Sequence, residues 1–244
     1  MKILTALKRQ IPNLITLGNL TCGVIASYMA AKGLLWMAAI GIMLGIFLDF
    51  FDGLAARLLG VASPVGKELD SLADVVTSGV APALILFRIL SSITGPLSFL
   101  RYIALLMPAF AAYRLAKFNL DTRQSHSFLG LPAPSSALVW VGVAYLFNAP
   151  GGSALSVLPF NNTTLICLAL LSLVTDILMV SELPMFSLKF NFKDLSWRTN
   201  STQYIFLMGC AIIIGLTRQW YAISLIILWY ILFSILTQRK PSHQ

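Results

Sequence analysis

DFFDGLAARLLGVASPVGKELDSLAD, residues 49–74, gathers four aspartates in a chain that holds only nine acidic residues among 244. The other acids are Glu68, Asp121, Asp176, Glu182 and Asp194. Asp49 and Asp52 are three apart and Asp70 and Asp74 four apart, so on helices each pair presents both carboxylates on one face. A short segment with Gly60 and Pro64 lies between the pairs. Connections of that length hold two helices antiparallel as neighbours, which brings both pairs to the same end of the helix pair, facing each other. Four carboxylates at such a distance repel unless cations neutralise them, and the donor type suits one or two hard divalent ions such as Mg²⁺ or Mn²⁺. Gly53, Ala56 and Gly66 are small enough to let a ligand reach the acids, and Arg57 is a ready phosphate partner. A solvated helix-loop-helix face is the competing reading, but the flanking runs are too apolar to lie in water.

Composition agrees with those flanks. Apolar residues make up 58% of the chain and charged residues 11%, with a net charge of +8, which is the balance of a polytopic membrane protein. Each span takes about 20 residues, so little chain is left outside the bilayer. We expect one all-α integral domain over residues 1–244, a transmembrane helical bundle of about eight spans. Apolar runs place these at roughly 12–31, 34–58, 69–90, 101–118, 134–149, 163–181, 202–217 and 219–237, the last two peripheral to the core and joined by a tight turn around Arg218. The leading MKILTALKRQ reads as a basic amphipathic anchor with no cleavage site, and Pro12 as a helix start. Cys22, Cys167 and Cys210 lie singly in apolar runs as packing residues, and His126 and His243 have no ligand-like neighbours. No heptad seam or transporter-like repeat is visible, and no nucleic-acid partner is expected.

Several polar residues inside or at the ends of spans leave alternatives open. Asn13, Thr16 and Asn19 share one side of the first span, where helix-helix hydrogen bonding and ligand contact are both available. Arg114 and Lys117, with Asn119 just beyond, sit where the fourth span ends; basic groups there either snorkel to headgroups or bind a substrate phosphate or carboxylate. Asp176, inside a late span, either pairs with a base near the site or makes a structural hydrogen bond. With alternating spans, Lys2, Lys8, Arg9, Arg57, Lys67, Arg114, Lys117, Arg123, Lys189, Lys193, Arg198, Arg239 and Lys240 fall on one side and Lys32, Arg88, Arg101 and Arg218 on the other. The richer side is cytoplasmic by the positive-inside rule, and both carboxylate pairs sit there. The uncharged loop from Asn148 to Pro159 suits the opposite side.

Written as D-x-x-D-G-x-x-A-R-x8-G-x-x-x-D-x-x-x-D, the positions Asp49, Asp52, Gly53, Ala56, Arg57, Gly66, Asp70 and Asp74 resemble the signature of the CDP-alcohol phosphatidyltransferases without a gap. That resemblance implies Asp49, Asp52 and Asp70 as ligands of two Mg²⁺ or Mn²⁺ ions, and Asp74 as both ligand and general base. It makes Gly53, Ala56, Gly66 and Arg57, with Asn13 and Thr16, the nucleotide cradle, and it implies a homodimer in a bacterial-type inner membrane. A substrate such as CDP-diacylglycerol suits a carboxylate site at a membrane surface, with its pyrophosphate at headgroup level and its acyl chains in lipid. IPNLITLGNLTCG, RLAKFN, FLGLPAP and LMVSELPMFSLK resemble stretches of the membrane-integral serine-using subfamily, and Asn19 stands where glycerophosphate-using relatives tend to carry a base. L-serine is therefore the expected acceptor, held by Arg114, Lys117 and Asn119. Lys117 stands where arginine is common, which keeps the charge but not the planar fork. Glycerol 3-phosphate or an inositol phosphate is the alternative acceptor, and a divalent-cation transporter the alternative of another class.

Overall fold

The computed structural model describes residues 2–121, 129–147, 159–186 and 197–237. The readings on Arg123, His126, loop residues 148–158, Lys189, Lys193, Asp194, Arg239, Lys240 and His243 fall outside these residues, as do those on the side chains of Lys2, Arg9 and Arg198. Among the described residues the order is α1 (Lys2–Ala31), α2 (Leu35–Leu58), α3 (Pro64–Asp74), a π-helical stretch (Val75–Val80) and α4 (Ala81–Ser91). A 3₁₀ stretch (Ser98–Leu106) then leads into α5 (Met107–Leu120), followed by α6 (Ala133–Phe147), α7 (Asn162–Val180), α8 (Trp197–Thr217) and α9 (Ala222–Leu236). The protein is an all-α polytopic bundle. Gln10–Ala31, Leu35–Leu58, Pro64–Ser91, Ser98–Leu120, Asn162–Val180 and Asn200–Thr217 are long and apolar enough to cross a membrane. The other two expected spans, α6 and α9, have 15 residues each, short of the roughly 20 that a bilayer core requires.

Pro12 does not start a helix. It lies inside α1, which runs unbroken from Lys2. Only one backbone N–H is missing there, and the helix continues through it. The basic lead and the first span are thus one rod.

The turn between α2 and α3 explains how the two acidic pairs meet. Gly60 takes φ +62°, and its N–H reaches Arg57 O while the Val61 N–H reaches Ala56 O. This Schellman closure requires the left-handed conformation that glycine adopts at little cost. Ser63 then caps α3 by accepting from Gly66 N at 3.0 Å, with Pro64 at the first helical position, a combination that stops one helix and starts the next within a few residues.

α3, the π stretch and α4 form one continuous span, the most buried of the six. Ile85, Leu86, Ile89 and Leu90 of α4 and Trp140 of α6 are buried in the main core with Ile42 of α2. α6 is buried over most of its length, so a short helix costs nothing in exposed backbone here. The segment before α6 is clasped to the end of α7: Gly130 N donates to Leu183 O, Leu131 N to Leu178 O, and Leu129 bridges Pro184. Gly130 has φ +75°, and a Cβ there would strike the carbonyls of Met179 and Ser181. α9 docks on α6 through Ser224, whose hydroxyl donates to Val139 O. α8 turns back at Arg218 and packs on α9, with Trp229 seated against Gly209 and donating to Phe206 O at 3.3 Å.

Candidate active site

Three of the four motif aspartates converge at the α2–α3 end of the bundle. Asp49, Asp70 and Asp74 each offer a carboxylate oxygen, and these oxygens lie within 4.8 Å of one another. Asp74 is buried, Asp49 and Asp70 half-buried, and one Asp70 oxygen is buried with no hydrogen-bond partner. Like charges gathered with an unsatisfied oxygen are costly unless a cation joins them, and a cluster of carboxylate oxygens is the donor set of Mg²⁺, Mn²⁺ or Ca²⁺. The residues fit a divalent cation.

Asp52 stands apart from that trio. It is 5% exposed and accepts from the Thr16 hydroxyl at 2.6 Å, a short, charge-assisted bond. α1 supplies a donor to the other pair as well: Asn19 Nδ2 donates to Asp74 Oδ1 at 3.3 Å. On the polar side of the first span Thr16 and Asn19 thus make helix-helix hydrogen bonds through the acids themselves, and Asn13 lines an adjoining cleft.

That cleft has a volume of about 220 Å³ and is lined by Asn13, Thr16, Gly53, Ala56, Arg57 and Gly66, beside Asp52 and Asp70. All six residues expected around a nucleotide are thus brought to one cavity. The two motif glycines are small for different reasons. A Cβ on Gly53 would meet only an Arg57 nitrogen at 3.9 Å, whereas one on Gly66 would press on Ser63 Oγ at 3.1 Å and Asn13 Oδ1 at 3.3 Å. Gly53 keeps the cavity open; Gly66 lets the cap of α3 and α1 close together.

The expected acceptor residues are less uniform. Arg114 is 8% exposed, with a buried Nε lacking a hydrogen-bond partner, and its guanidinium lies over the Phe118 ring at 5.4 Å. It lines a small pocket with Met179 and Ser181 at the clasped end of α7. Lys117 lines it too, but pairs with Glu182 at 3.2 Å. Asn119 acts as a strut: its Nδ2 donates to Ser71 Oγ at 2.8 Å and its carbonyl accepts from Lys67 Nζ at 3.0 Å, which ties α5 to α3. Asp176 lies inside α7. It is fully buried with the Ser172 hydroxyl one turn earlier as its polar neighbour, and it forms no ion pair with a basic residue among the described residues. Cys22, Cys167 and Cys210 are free thiols.

Two residues near the acids were not foreseen. Lys67 lines the same cleft. Thr77, fully buried in the π stretch, donates to Asn19 Oδ1 at 2.7 Å, with Asn19 O a second acceptor at 3.1 Å. A polar residue three positions after Asp74 in an apolar run was the available signal.

Comparison with known proteins bears on this geometry. The sequence profile of the family described as CDP-alcohol phosphatidyltransferase matches residues 9–185, which include both acidic pairs, Arg114, Lys117 and the clasp. The CDP-diacylglycerol--serine O-phosphatidyltransferase of Bacillus subtilis (strain 168) is 37% identical over 139 residues, 57% of this chain and 77% of that protein. The protein of the same name from Helicobacter pylori (strain J99) is 37% identical over 139 residues, 56% of this chain and 58% of its own length. The archaetidylserine synthase of Methanothermobacter thermautotrophicus is 33% identical over 136 residues, covering 52% of this chain and 54% of the relative.

Proposed function

Because the chain belongs to the CDP-alcohol phosphatidyltransferase family, we propose that it transfers the phosphatidyl group of CDP-diacylglycerol to the hydroxyl of L-serine, giving phosphatidylserine and CMP. The observation that carries this reading is the meeting of Asp49, Asp70 and Asp74 beside a cleft lined by the whole expected cradle. Serine is favoured over glycerol 3-phosphate or an inositol phosphate by the names of the relatives, which share serine while differing in the lipid. A transporter is disfavoured because the acids cluster at one end of the bundle and do not thread it.

In this reading the cleft takes the cytidine and pyrophosphate, with Arg57, exposed at its edge, pairing with a phosphate oxygen. Mg²⁺ or Mn²⁺, held by Asp49, Asp70, Asp74 and Asp52, would supply positive charge for the pyrophosphate when bound. Arg114 orients the acceptor through its carboxylate, and Asp74 takes the hydroxyl proton as the serine oxygen forms its bond to phosphorus and the bond to CMP breaks. Thr16 holds Asp52 against rotation. The protein works as a homodimer in the inner membrane, with the site on the cytoplasmic side, where basic residues predominate.

The test is CMP release by purified protein from CDP-diacylglycerol with a panel of alcohols. Release with serine, dependent on Mg²⁺ or Mn²⁺, is the expected result. Release only with another alcohol would replace the acceptor, and none with any acceptor would favour transport.

A further inference from the structure

Resting on that reading, we propose that Asn19 and Thr77 are positioning residues that fix the carboxylate of Asp74 for proton transfer. Both side chains are fully buried inside membrane-spanning segments, where each polar group needs a partner. They form a chain with one direction: the Thr77 hydroxyl donates to Asn19 Oδ1 at 2.7 Å, and Asn19 Nδ2 donates to Asp74 Oδ1 at 3.3 Å.

The direction matters because a carboxamide has one accepting end and one donating end. A hydroxyl can donate or accept; here the Thr77 hydroxyl donates, with Asn19 Oδ1 at 2.7 Å nearer than Asn19 O at 3.1 Å, which engages the amide oxygen while the NH₂ group goes to the carboxylate. Without that hydroxyl the amide oxygen has no side-chain partner, and the amide is free to rotate away from Asp74. With it, Asp74 Oδ1 is engaged, and the carboxylate presents its other oxygen in one orientation. Proton transfer depends on such orientation, and a misplacement of about 1 Å costs on the order of 10²-fold.

The surrounding backbone is built to bring the three residues together. Thr77 lies in the π-helical stretch directly after Asp74, and π turns occur mostly where a helix is adapted to a site. Glycines on two helices let the chain pack at that point: a Cβ on Gly45 of α2 would lie 2.9 Å from Asn19 Oδ1, and one on Gly23 of α1 would lie 2.9 Å from the Thr77 backbone. The bland alternative is that the same bonds only glue α1 to the next span.

Thr77→Val and Thr77→Ser separate the two. Valine keeps the branched shape and loses the hydroxyl; serine keeps the hydroxyl. In the purified full chain, Thr77→Val should lower kcat about tenfold to hundredfold with little change in KM for either substrate or in melting temperature, and Thr77→Ser should return kcat to within about threefold. Equal effects of the two, tracking melting temperature, would overturn the inference in favour of glue, as would an unchanged kcat in Thr77→Val. The acceptor assignment is separable, since these ratios are read with whichever alcohol releases CMP. A readout independent of turnover comes from metal-free, ¹⁵N-asparagine-labelled protein, in which the Asn19 NH₂ signals are assigned by their loss in Asn19→Ala. Their hydrogen exchange should accelerate at least about tenfold in Thr77→Val but not in Thr77→Ser. Unchanged exchange would overturn the inference even if no alcohol proved to be a substrate.

Discussion

On the carboxylate side of the site, the acids come from the end of α2 and from α3, joined by one Schellman turn and one serine cap. On the proposed acceptor side, Arg114 and Lys117 come from α5, while the wall facing them is the far end of α7, held by the clasp between 129–131 and 178–184. The first is a local device, set by spacing along one stretch of chain; the second is an assembly of segments that only the completed bundle brings together. Each has a different weakness. A local site should fail through loss of its own groups, and an assembled site through loss of fit.

The largest expected effect tests the local side. Asp70→Ala removes a member of the converging trio and should lower turnover about 10³-fold or more, with Mg²⁺ binding by calorimetry lost in parallel while the protein still inserts and purifies. Ordinary activity in this variant would break the comparison at its root.

The same contrast explains what could be read from the chain. Apolar length located six of the spans to within about five residues, and carboxylates three and four apart on helices brought Asp49, Asp70 and Asp74 together, with Asp52 held aside by Thr16, because helical periodicity is a property of the chain itself. Pro12 misled because a proline inside a helix removes only the one bond from its own nitrogen to the carbonyl four residues back, and the helix runs on through it. Thr77 escaped because its value depends on where α1 lies, 58 positions earlier. The Lys117–Glu182 pair and the Lys67–Asn119 tie span 65 and 52 positions, and no spacing rule encodes partners at that distance. FLGLPAP and LMVSELPMFSLK were legible as stretches but not as one clasp.

On the assembled side, Arg114→Ala should raise the serine KM about tenfold to hundredfold, the worth of one charged hydrogen-bonded contact, with the CDP-diacylglycerol KM nearly unchanged. Equal effects on both substrates would move Arg114 from acceptor recognition to phosphate positioning and merge the two sides.

The glycines of the local side allow a finer division. Gly53→Ala meets only an Arg57 nitrogen at ordinary contact distance, 3.9 Å, so melting temperature should hold while the added methyl in the cleft raises the CDP-diacylglycerol KM by about tenfold. Gly66→Ala presses on the Ser63 cap and on Asn13, so it should lower the melting temperature, a lost cap being worth about 1 kcal/mol. If both variants shifted only stability, the cleft would not be the nucleotide site.

The smallest effect concerns Lys117, and it asks how much of the acceptor side is substrate recognition at all. Its ammonium is 3.2 Å from Glu182, with side chains 34% and 60% exposed, so the pair is partly solvated and its two long side chains lose rotamer freedom to meet. Such pairs contribute about 0.2–1 kcal/mol. A double-mutant cycle of Lys117→Met and Glu182→Gln on melting temperature should give a coupling in that range, reduced at high salt. The pair also occupies the one charge with which Lys117 could hold a serine carboxylate, whereas Arg114 Nε lacks a hydrogen-bond partner. Lys117→Met should therefore change the serine KM by no more than about threefold. A rise equal to that of Arg114→Ala would mean that substrate displaces Glu182 from Lys117, and that the acceptor side is remade on binding while the carboxylate side stands ready.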